Sequence, residues 1–369
     1  MRIIDFFGYK IFKPRKFDSL PQKILIIRTA HIGDVLFTTP MLVNLRRAYP
    51  QAQIDYLCGD WAVDIIKNNP HLDNIIVYNA FWLDRRKRNI FDLKNLLELR
   101  RRKYDLIIQC GFEYKDNILA RIIGAKYIIG YHICGFGFLL DKYPSYPNDK
   151  IHDKDLHLDL LKTIGIRPEI KNLQVYTSKT EEQKALRLLE QFDLSDFIAV
   201  GPGVGEKVRQ WPVSSWAQLL PLLLTKFRKV AILGSSLEVP VVTEIMNKYA
   251  NHERHQIGDL INFAGQTSLM ESAAIIKQAK AFIGMESSLA HIANALRKKS
   301  IAIFSGFTDT KRWAINDSCT TTLKSECNDA PNCVPYKCPH RQCLTDVKPE
   351  FVFSALLEKL EGNNINVKK

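Results

Sequence analysis

A strand, a loop and a helix follow one another at two places in this chain, and this repeated order constrains the fold more than any other feature. At the first place, the apolar run Lys23–Arg28 leads into the loop Thr29–Asp34. At the second, Phe197–Val200 leads into the glycine loop Gly201–Gly205. Apolar runs that end in such loops before a helix are typical of the parallel strands of a doubly wound sheet.

The same alternation continues after each of these two places. The further strands that we predict are Gln53–Leu57, Asn74–Tyr78, Tyr104–Cys110, Lys126–Gly130, Lys229–Leu233, Lys280–Ile283 and Ser300–Phe304. The predicted helices include Trp61–Asn68, Asp92–Lys103, His152–Ile164, a capped helix from Ser268 to about Ala279, and Leu289–Leu296. This order predicts an α/β chain with two Rossmann-like domains facing a central cleft, where a ligand binds at the carboxyl ends of the strands.

With 369 residues the chain is long enough for two cores. We predict a basic, aromatic N-terminal extension at 1–22, Rossmann-like domains at 23–172 and 173–348, and a C-terminal helix and tail at 349–369. Two interpretations of the extension stay open: it lies at a membrane interface, or it packs a few aromatic side chains on the first domain. The chain has no apolar stretch of membrane-spanning length and no signal-peptide cleavage site, so we expect it in the cytoplasm.

The charge of the chain indicates an anionic partner. Its formal net charge is +13, and nine of the nineteen residues at 85–103 are basic, namely Arg85, Arg86, Lys87, Arg88, Lys94, Arg100, Arg101, Arg102 and Lys103. Such a run suits nucleic acid, an acidic membrane or a phosphorylated glycan, and it is equally compatible with a solvated face. Because no paired aromatic stacking motif or nucleic-acid fold signature accompanies it, a nucleic-acid partner is not expected.

The first candidate site is the segment Arg28–Pro40. It places Asp34 after the first strand, where a helix begins, and Gly33 allows close approach to the backbone. A carboxylate at such a position either caps the helix by accepting backbone N–H groups or accepts a proton from an attacking hydroxyl. Both interpretations stay open from these residues alone.

The second candidate site follows the strand that begins near residue 197. The backbone N–H groups of Gly203 and Gly205 are suited to a phosphate, and Arg209 is close enough in sequence to neutralise its charge. No Gly-Lys-Ser/Thr follows, so this is not a Walker loop. The pattern therefore indicates a phosphate-binding loop of another kind.

The third candidate site is Gly284–His291. Ser287 and Ser288 stand at a helix start, where their hydroxyls either cap the helix or bind a diphosphate. Glu286 precedes the helix and is suited to a sugar or ribose hydroxyl. His291 lies one turn into the helix, where a structural hydrogen bond and a catalytic role are both compatible with its position.

Taken together, these segments resemble glycosyltransferase family 9, the lipopolysaccharide heptosyltransferases. The family's Gly-Asp is matched by Gly33-Asp34 and its Thr-x-Pro by Thr38–Pro40. Its cation-x-Trp-Pro is matched by Arg209–Pro212, and its Asp-Ser/Thr-Gly-x-x-His by Glu286–His291. The resemblance spans about residues 23–360.

Two further segments, Asn262–Leu269 and Phe307–Trp313, are similar to other signatures of this family. Three residues depart from its pattern. Arg209 stands where lysine is usual, Glu286 stands where aspartate is usual, and Ser288 stands where glycine is usual. The departures at Glu286 and Ser288 affect the nucleotide sugar more than the fold or the reaction type.

The resemblance implies a GT-B fold in which the N-terminal domain binds the acceptor and the C-terminal domain binds the donor. It implies an inverting transferase that moves a heptose or related sugar from ADP-heptose to the lipopolysaccharide inner core, at the cytoplasmic face of the inner membrane. Asp34 is then the general base. The implied donor-binding residues are Gly203, Gly205, Arg209, Glu286, Ser287, Ser288 and His291. The implied acceptor-binding residues are His31, Arg100, Arg101, Arg102 and Lys103.

No metal and no cofactor are expected, because Arg209 and the helix end can stabilise a departing diphosphate. Five cysteines lie close together: Cys319, Cys327, Cys333, Cys338 and Cys343. Since they lack the tight C-x2-C spacing of the commonest zinc sites, we expect reduced thiols, with a bound metal or a disulfide as the alternative. The alternative functions are a GT-B enzyme acting on another nucleotide sugar, or a non-catalytic basic module that binds membranes or nucleic acid.

Overall fold

The computed structural model describes residues 2–79, 93–133, 135–145, 151–251, 258–314, 316–326, 333–338 and 340–362. The chain divides into two compact units, Met1–Tyr176 and Thr177–Lys369. The division lies close to the domain change that we predict at residue 173. Several residues of the sequence analysis lie outside the described residues: Arg85, Arg86, Lys87, Arg88, Asp92 and Cys327.

The N-terminal unit is built on a parallel sheet of five strands. Its elements in chain order are α1 (Arg2–Ile11), β1 (Lys23–Ile27), α2 (Ile32–Leu36), α3 (Thr39–Ala48), β2 (Gln53–Cys58), α4 (Val63–Ile66), β3 (Asn74–Val77), α5 (Leu93–Arg101), β4 (Tyr104–Gln109), α6 (Tyr114–Ile123), β5 (Ala125–Ile129) and α7 (Asp153–Lys162). The strand order is β3-β2-β1-β4-β5, and every pair is parallel.

The C-terminal unit repeats this plan with a parallel sheet of six strands. Its elements are α8 (Lys179–Gln191), β6 (Ile198–Gly201), α9 (Val213–Phe227), β7 (Lys229–Ile232), α10 (Val239–Ala250), β8 (Asp259–Asn262), α11 (Leu269–Gln278), β9 (Ala281–Met285), α12 (Ser288–Ala295), β10 (Ser300–Ile303), α13 (Thr310–Trp313), β11 (Thr320–Leu323), α14 (Gln342–Thr345) and α15 (Pro349–Glu361). The strand order is β11-β10-β9-β6-β7-β8, again with every pair parallel.

The sequences of the central strands explain both sheets. The four apolar side chains of β1 are fully buried, as are those of β6, because helices cover both faces of a parallel sheet. Helix ends carry the caps that the sequence indicates: the Ser268 hydroxyl accepts the Glu271 N–H, and a Glu271 carboxylate oxygen accepts the Ser268 N–H. The predicted α/β plan of two Rossmann-like units is thus confirmed.

Two strands lack the continuous apolar run by which the central strands are recognised in the sequence. β8 contains Asp259 and Asn262, and its side chains are only half-buried or exposed. β11 reads Thr-Thr-Thr-Leu, and its threonines are buried although they are polar. Threonine is β-branched and suits a strand, but the continuous apolar run that identifies a buried strand is absent. Both strands lie at the edges of their sheet.

The N-terminal extension packs on the N-terminal unit. The rings of Phe12 and Phe138 have centroids 5.7 Å apart, and those of Phe17 and Tyr127 are 5.1 Å apart. Arg15 pairs with Asp141 at 2.6 Å. This packing agrees with the second interpretation of the extension. In the described part of the chain, no helix combines the length and the apolar character that crossing a membrane requires.

Candidate functional site

The candidate sites lie at the carboxyl ends of the strands in each sheet, at a place that the strand order identifies. In the first sheet the order reverses between β1 and β4, and in the second between β6 and β9. At such a switch point the loops leave in opposite directions and open a crevice at the carboxyl ends of the strands, which is where doubly wound proteins bind ligands. Asp34 follows β1, Arg209 follows β6, and Glu286 follows β9. All three predicted motifs therefore lie at a switch point of their own unit.

A buried arginine holds the Asp34 carboxylate in place. Arg28 Nη2 donates to Asp34 Oδ1 at 2.9 Å, and Arg28 Nη1 donates to the Cys110 carbonyl, which follows β4, at 2.8 Å. The guanidinium also lies 5.0 Å from the centroid of the Phe112 ring. The Arg28 side chain is 4% exposed and that of Asp34 is 12% exposed. Arg28 thus joins both sides of the switch point and leaves the carboxylate as the more accessible partner.

The second oxygen of Asp34 is used at the start of α2. Asp34 Oδ2 accepts the backbone N–H of His31 at 3.1 Å, so the helix-capping interpretation describes a real contact. A carboxylate has about four lone-pair positions, and these two contacts occupy two of them. Capping therefore leaves Asp34 able to accept a further hydrogen bond, and the exposed His31 lies beside it.

Asp116, which the sequence analysis does not single out, is the second carboxylate at this switch point. It lies in the first turn of α6, in the position after β4 that corresponds to that of Asp34 after β1. The Thr29 hydroxyl donates to Asp116 Oδ1 at 3.3 Å, and the Glu113 N–H donates to Oδ2 at 3.2 Å. Burial raises the pKa of Asp116 to about 6, against these hydrogen bonds and the Arg28 charge.

The charge of Arg28 is sustained by its neighbours. Burial opposes a charged guanidinium, but nearby acidic groups, with Asp34 the strongest, more than offset it and raise the pKa of Arg28. Asp153 at the start of α7 and Asp116 also contribute. An arginine that stays charged inside the protein is a fixed support for a carboxylate at its surface.

In the C-terminal unit, an arginine and a carboxylate also pair at the switch point. Arg209 Nη1 donates to Glu286 Oε1 at 2.7 Å, and the Thr308 hydroxyl donates to Glu286 Oε2 at 2.6 Å. The Glu286 side chain is 7% exposed, whereas that of Arg209 is 34% exposed. Burial raises the pKa of Glu286 above its usual value. Arg209 forms a second ion pair with Glu206 at 3.3 Å. The arginine is the accessible partner here.

The glycine loop after β6 borders a cavity of about 720 Å³ within the C-terminal unit. A Cβ atom on Gly203 would overlap the Glu238 carboxylate, so a side chain there would displace Glu238, whereas Gly205 has open space around it. Lys207 and Arg341 also line the cavity. Glu238 follows β7, the second strand of this half, where Rossmann-like proteins carry the acidic residue that binds a ribose. That position is the signal that could have identified Glu238 from the sequence.

The remaining donor-side residues lie around α12. Ser287 is the N-cap residue of α12, but its side chain makes no capping hydrogen bond, so its hydroxyl is not committed to the helix. Ser288 is half-buried and begins the helix, and His291 is buried one turn further on. Trp211 of the cation-x-Trp-Pro motif is fully buried and donates its indole N–H to the Val347 carbonyl at 3.0 Å. Trp211 therefore anchors the cation-x-Trp-Pro segment in the core of the C-terminal unit.

The predicted acceptor-binding residues lie in two separate places. His31 lies beside Asp34, but Arg100, Arg101, Arg102 and Lys103 end α5 and precede β4. Because β1 and β4 are parallel, these four residues lie at the amino edge of the sheet, where its strands begin. β4 has six residues, which separates them from the carboxyl edge by about 17 Å. Their contact with the acceptor stays a prediction, and the fold does not bring them together with Asp34.

Two of these arginines have structural partners. Arg100 Nη1 donates to the Ile122 carbonyl at 2.8 Å, and Arg102 Nη1 lies 3.4 Å from Asp55 Oδ2. Among the described cysteines of the C-terminal cluster, Cys319, Cys333, Cys338 and Cys343 form no disulfide. Within the same described residues, no group of three or more His, Cys, Asp or Glu side chains is placed to hold a metal ion.

Comparison with known proteins connects this geometry to a family. The model of glycosyltransferase family 9 (heptosyltransferase) matches residues 93–344. Lipopolysaccharide heptosyltransferase 3 of Escherichia coli is 25% identical over 289 residues, which cover 76% of this chain and 82% of that one. Lipooligosaccharide heptosyltransferase 2 of Haemophilus influenzae is 24% identical over 367 residues, which cover 92% of this chain and 99% of that one.

Solved structures share the fold. The glycosyl transferase family 9 protein from Veillonella parvula superposes with a TM-score of 0.78 at 20% identity, covering 94% of this chain and 99% of that one. The E. coli ADP-heptose lps heptosyltransferase II superposes with a TM-score of 0.70 at 21% identity, covering 92% and 98%. These likenesses confirm the predicted GT-B fold.

Proposed function

The chain belongs to glycosyltransferase family 9, and on that premise we propose that it transfers a heptose from ADP-heptose to the inner core of lipopolysaccharide with Asp34 as general base. The relatives named above are heptosyltransferases of lipopolysaccharide or lipooligosaccharide, and a structural neighbour is named for ADP-heptose. The observation that carries the catalytic part is the Arg28–Asp34 pair at the switch point of the first sheet.

In this reaction Asp34 accepts the proton of the acceptor hydroxyl. The hydroxyl oxygen forms its new bond to the anomeric carbon while the bond from that carbon to the diphosphate oxygen breaks, and the electron pair leaves with ADP. A single displacement of this kind inverts the anomeric configuration. Asp34 suits the role because it is 12% exposed, retains lone pairs and is held by two hydrogen bonds. Arg28 acts through Asp34 as a positioning residue.

The donor is assigned to the C-terminal unit. Negative charge grows on the diphosphate as the sugar leaves, and Arg209 is the accessible cation next to the glycine loop. The N–H groups at the start of α12 and the uncommitted Ser287 hydroxyl add hydrogen-bond donors, with Ser288 and His291 on the same helix. These groups supply the positive potential that the diphosphate requires, so the proposed reaction is metal-independent and uses no cofactor.

The nucleoside is assigned to the cavity beside the glycine loop. Its volume of about 720 Å³ is in the range of small-molecule sites. Glu238 Oε2 accepts the Ser235 N–H at 2.6 Å, so we assign Oε1 to the ribose hydroxyls, and Gly205 leaves open space for the ligand. Glu286 is buried against Arg209 and orients its guanidinium. We therefore assign Glu286 an indirect role through Arg209 in place of a direct contact with the nucleotide. The acceptor is an anionic lipid-linked glycan, so we place the enzyme peripherally on the cytoplasmic face of the inner membrane.

Donor competition tests this proposal. The purified chain is incubated with a lipid-linked acceptor that lacks the added sugar, and with ADP-heptose, UDP-sugars or GDP-sugars in parallel, and products are identified by mass spectrometry. We expect transfer from ADP-heptose alone. Because Glu286 and Ser288 depart from the family pattern, the competing candidate is another nucleotide sugar, and preferential transfer from a UDP- or GDP-sugar would establish it. Absence of transfer from every donor would contradict the proposed activity.

A further inference from the structure

The amino edge of the first sheet carries a charged surface that lies apart from Asp34. Five basic side chains line an open cavity of about 480 Å³ at this edge, and we call them the amino-edge basic surface: Arg15, Arg100, Lys103, Arg121 and Lys126. They come from five different elements or connections of the N-terminal unit. The fold therefore collects basic residues that are far apart in sequence.

Positive charge is in excess at this surface. Two carboxylates oppose it among the described residues: Asp141 pairs with Arg15 at 2.6 Å, and Asp105 pairs with Lys126 at 2.7 Å. Arg121 lies against the Phe12 ring, 5.1 Å from its centroid. Its pKa is lowered by burial and then by the charges of Arg15 and Arg100. Like charges repel here, so a dianionic or polyanionic partner would relieve the repulsion.

Exposed apolar side chains adjoin the amino-edge basic surface. Phe12, which supports Arg121, directly follows α1. On α1 itself, Phe7 is 57% exposed and Ile11 is 73% exposed. They are four residues apart and therefore lie on the same face of the helix. The exposed basic residues Lys13 and Lys16 follow them in the chain.

We propose that the amino-edge basic surface, together with the exposed apolar face of α1, docks the N-terminal unit on an anionic membrane. Attraction to acidic headgroups and insertion of a few apolar side chains are the two forces that hold a protein at a bilayer interface, and both are present side by side. A nucleic acid would use the charge but would leave Phe7 and Ile11 exposed. A single small phosphate would contact only part of the amino-edge basic surface and none of the apolar face of α1.

The position of this surface suits a lipid-linked acceptor, and this part of the inference rests on the proposed function. The amino edge lies about 17 Å from the carboxyl edge that carries Asp34, judged from the six residues of β4. An acceptor sugar is separated from its lipid by intervening sugars. A docking surface one strand length from the base leaves room for them, whereas a membrane contact at Asp34 itself would not.

Vesicle binding of the full chain tests the proposal. Co-sedimentation is measured with phosphatidylcholine vesicles and with vesicles that contain phosphatidylglycerol, for wild type and for the double variant Arg121→Gln/Lys126→Gln. At physiological salt each basic residue near an anionic surface contributes about five-fold in partitioning, so the double variant should bind about thirty-fold more weakly. The matched control is Arg187→Gln/Lys226→Gln, which removes two exposed charges from α8 and α9 of the C-terminal unit and should bind like wild type.

The apolar part has its own test. Phe7→Ser/Ile11→Ser should lower partitioning roughly ten-fold, and this loss should persist at high salt, whereas the loss in Arg121→Gln/Lys126→Gln should shrink as charges are screened. Equal binding of wild type to neutral and anionic vesicles would overturn the proposal. So would an equal loss in the control pair, or displacement from vesicles by millimolar inorganic phosphate, which would indicate a small-anion site.

Transfer to a water-soluble core oligosaccharide separates this inference from the proposed function. Arg121→Gln/Lys126→Gln should retain kcat/KM on the soluble acceptor and lose efficiency with vesicle-embedded acceptor. Asp34→Asn should lose turnover with both acceptors and still bind anionic vesicles as wild type does. If Asp34→Asn remained active, the catalytic proposal would fail while the vesicle result stood. If Asp34→Asn were inactive and Arg121→Gln/Lys126→Gln bound vesicles as wild type does, the membrane proposal would fail while the catalytic proposal stood.

Discussion

The two sheets each carry an arginine–carboxylate pair at the switch point, but the burial of the two partners is reversed. In the N-terminal unit Arg28 is 4% exposed and Asp34 is 12% exposed. In the C-terminal unit Arg209 is 34% exposed and Glu286 is 7% exposed. The first pair therefore presents a carboxylate supported by a buried cation, and the second presents a cation supported by a buried carboxylate.

In the proposed reaction this reversal separates the group that contacts a substrate from the group that positions it. An exposed carboxylate can take a proton from a hydroxyl, and an exposed guanidinium can bind a diphosphate. The buried partner fixes the side chain of the exposed one. In the proposed reaction the same two residue types perform opposite tasks, so substitutions at these positions should separate catalysis from support.

The largest effect is expected for the exposed partner of the first pair. Asp34→Asn keeps the size of the side chain and removes its basicity, so kcat should fall by about 10²–10⁴-fold. Donor affinity, measured by calorimetry with ADP, should be unchanged because the donor residues belong to the other unit. The control is Asp60→Asn, an exposed aspartate after β2, which should retain wild-type kcat. Turnover of Asp34→Asn within a few-fold of wild type would reduce Asp34 to a helix-capping residue.

The buried partner of the same pair should act on stability. Arg28→Met keeps most of the volume and leaves Asp34 without its cation, so the free energy of unfolding of the N-terminal unit should fall by about 3–5 kcal/mol. Arg47→Met, by contrast, breaks an ion pair with Glu169 in which both side chains are exposed, at 58% and 79%, and should cost below about 1 kcal/mol. Urea denaturation followed by circular dichroism measures both variants. Equal losses would show that burial does not distinguish the two pairs.

Asp116, the third charged group at the first switch point, makes the free energy of unfolding depend on pH. The pKa of Asp116 is raised from 3.8 to about 6 by burial. Between about pH 4 and 6 the folded state therefore binds more protons than the unfolded state, and the free energy of unfolding falls as pH rises through this window. Relative to Asp116→Asn, wild type should lose up to about 3 kcal/mol of stability between pH 4 and 7. A difference between the two proteins that does not change with pH would contradict the buried, ionising carboxylate.

The exposed partner of the second pair should affect the donor. Arg209→Ala removes one charge-assisted contact of about 1.5–3 kcal/mol, so donor affinity and turnover should each fall by about ten- to a hundred-fold. Acceptor KM should stay at the wild-type value. Calorimetry with ADP measures the binding part, and an unchanged affinity would remove Arg209 from the donor site.

The smallest effect concerns the basic run that precedes β4. Arg101 and Lys103 are exposed at the amino edge, and Lys103 alone of the two belongs to the amino-edge basic surface. Arg101→Gln/Lys103→Gln should therefore raise the KM of a membrane-embedded acceptor by about five-fold at physiological salt and by more at low salt. The KM of a soluble acceptor should not change. A large rise with the soluble acceptor would restore these residues to the acceptor site and would weaken the distinction between the two edges.

The central strands of both sheets were predictable because continuous apolar runs such as Lys23–Ile27 identify buried parallel strands. The edge strands β8 and β11 were not, since polar residues occupy them. The amino-edge position of Lys103 follows from chain order alone, because the residue that precedes a strand lies where that strand begins. The prediction of an acceptor site at Arg100–Lys103 considered only their charge and did not take this position into account.

The positions of the candidate residues after their strands follow from the sequence, but their pairing does not. Asp34 and Arg209 were identified by position after a strand, whereas their partners depend on how loops close in space. Glu286 and Arg209 are 77 residues apart in sequence and 2.7 Å apart in the structure. Arg28 lies inside the first motif, yet the burial that makes it a support comes from Phe112 and Cys110, which follow β4. Burial of this kind is a property of the assembled sheet.

The proposed reaction is a single displacement, assisted by Asp34, that moves the heptose from ADP-heptose to the acceptor. The anomeric configuration of the product tests it most directly. The purified chain is given ADP-heptose and a soluble core acceptor, and the configuration of the new glycosidic bond is determined by nuclear magnetic resonance. We predict a configuration opposite to that of the donor. Retention of the donor's configuration would require two displacements and would contradict the role of Asp34 as a base.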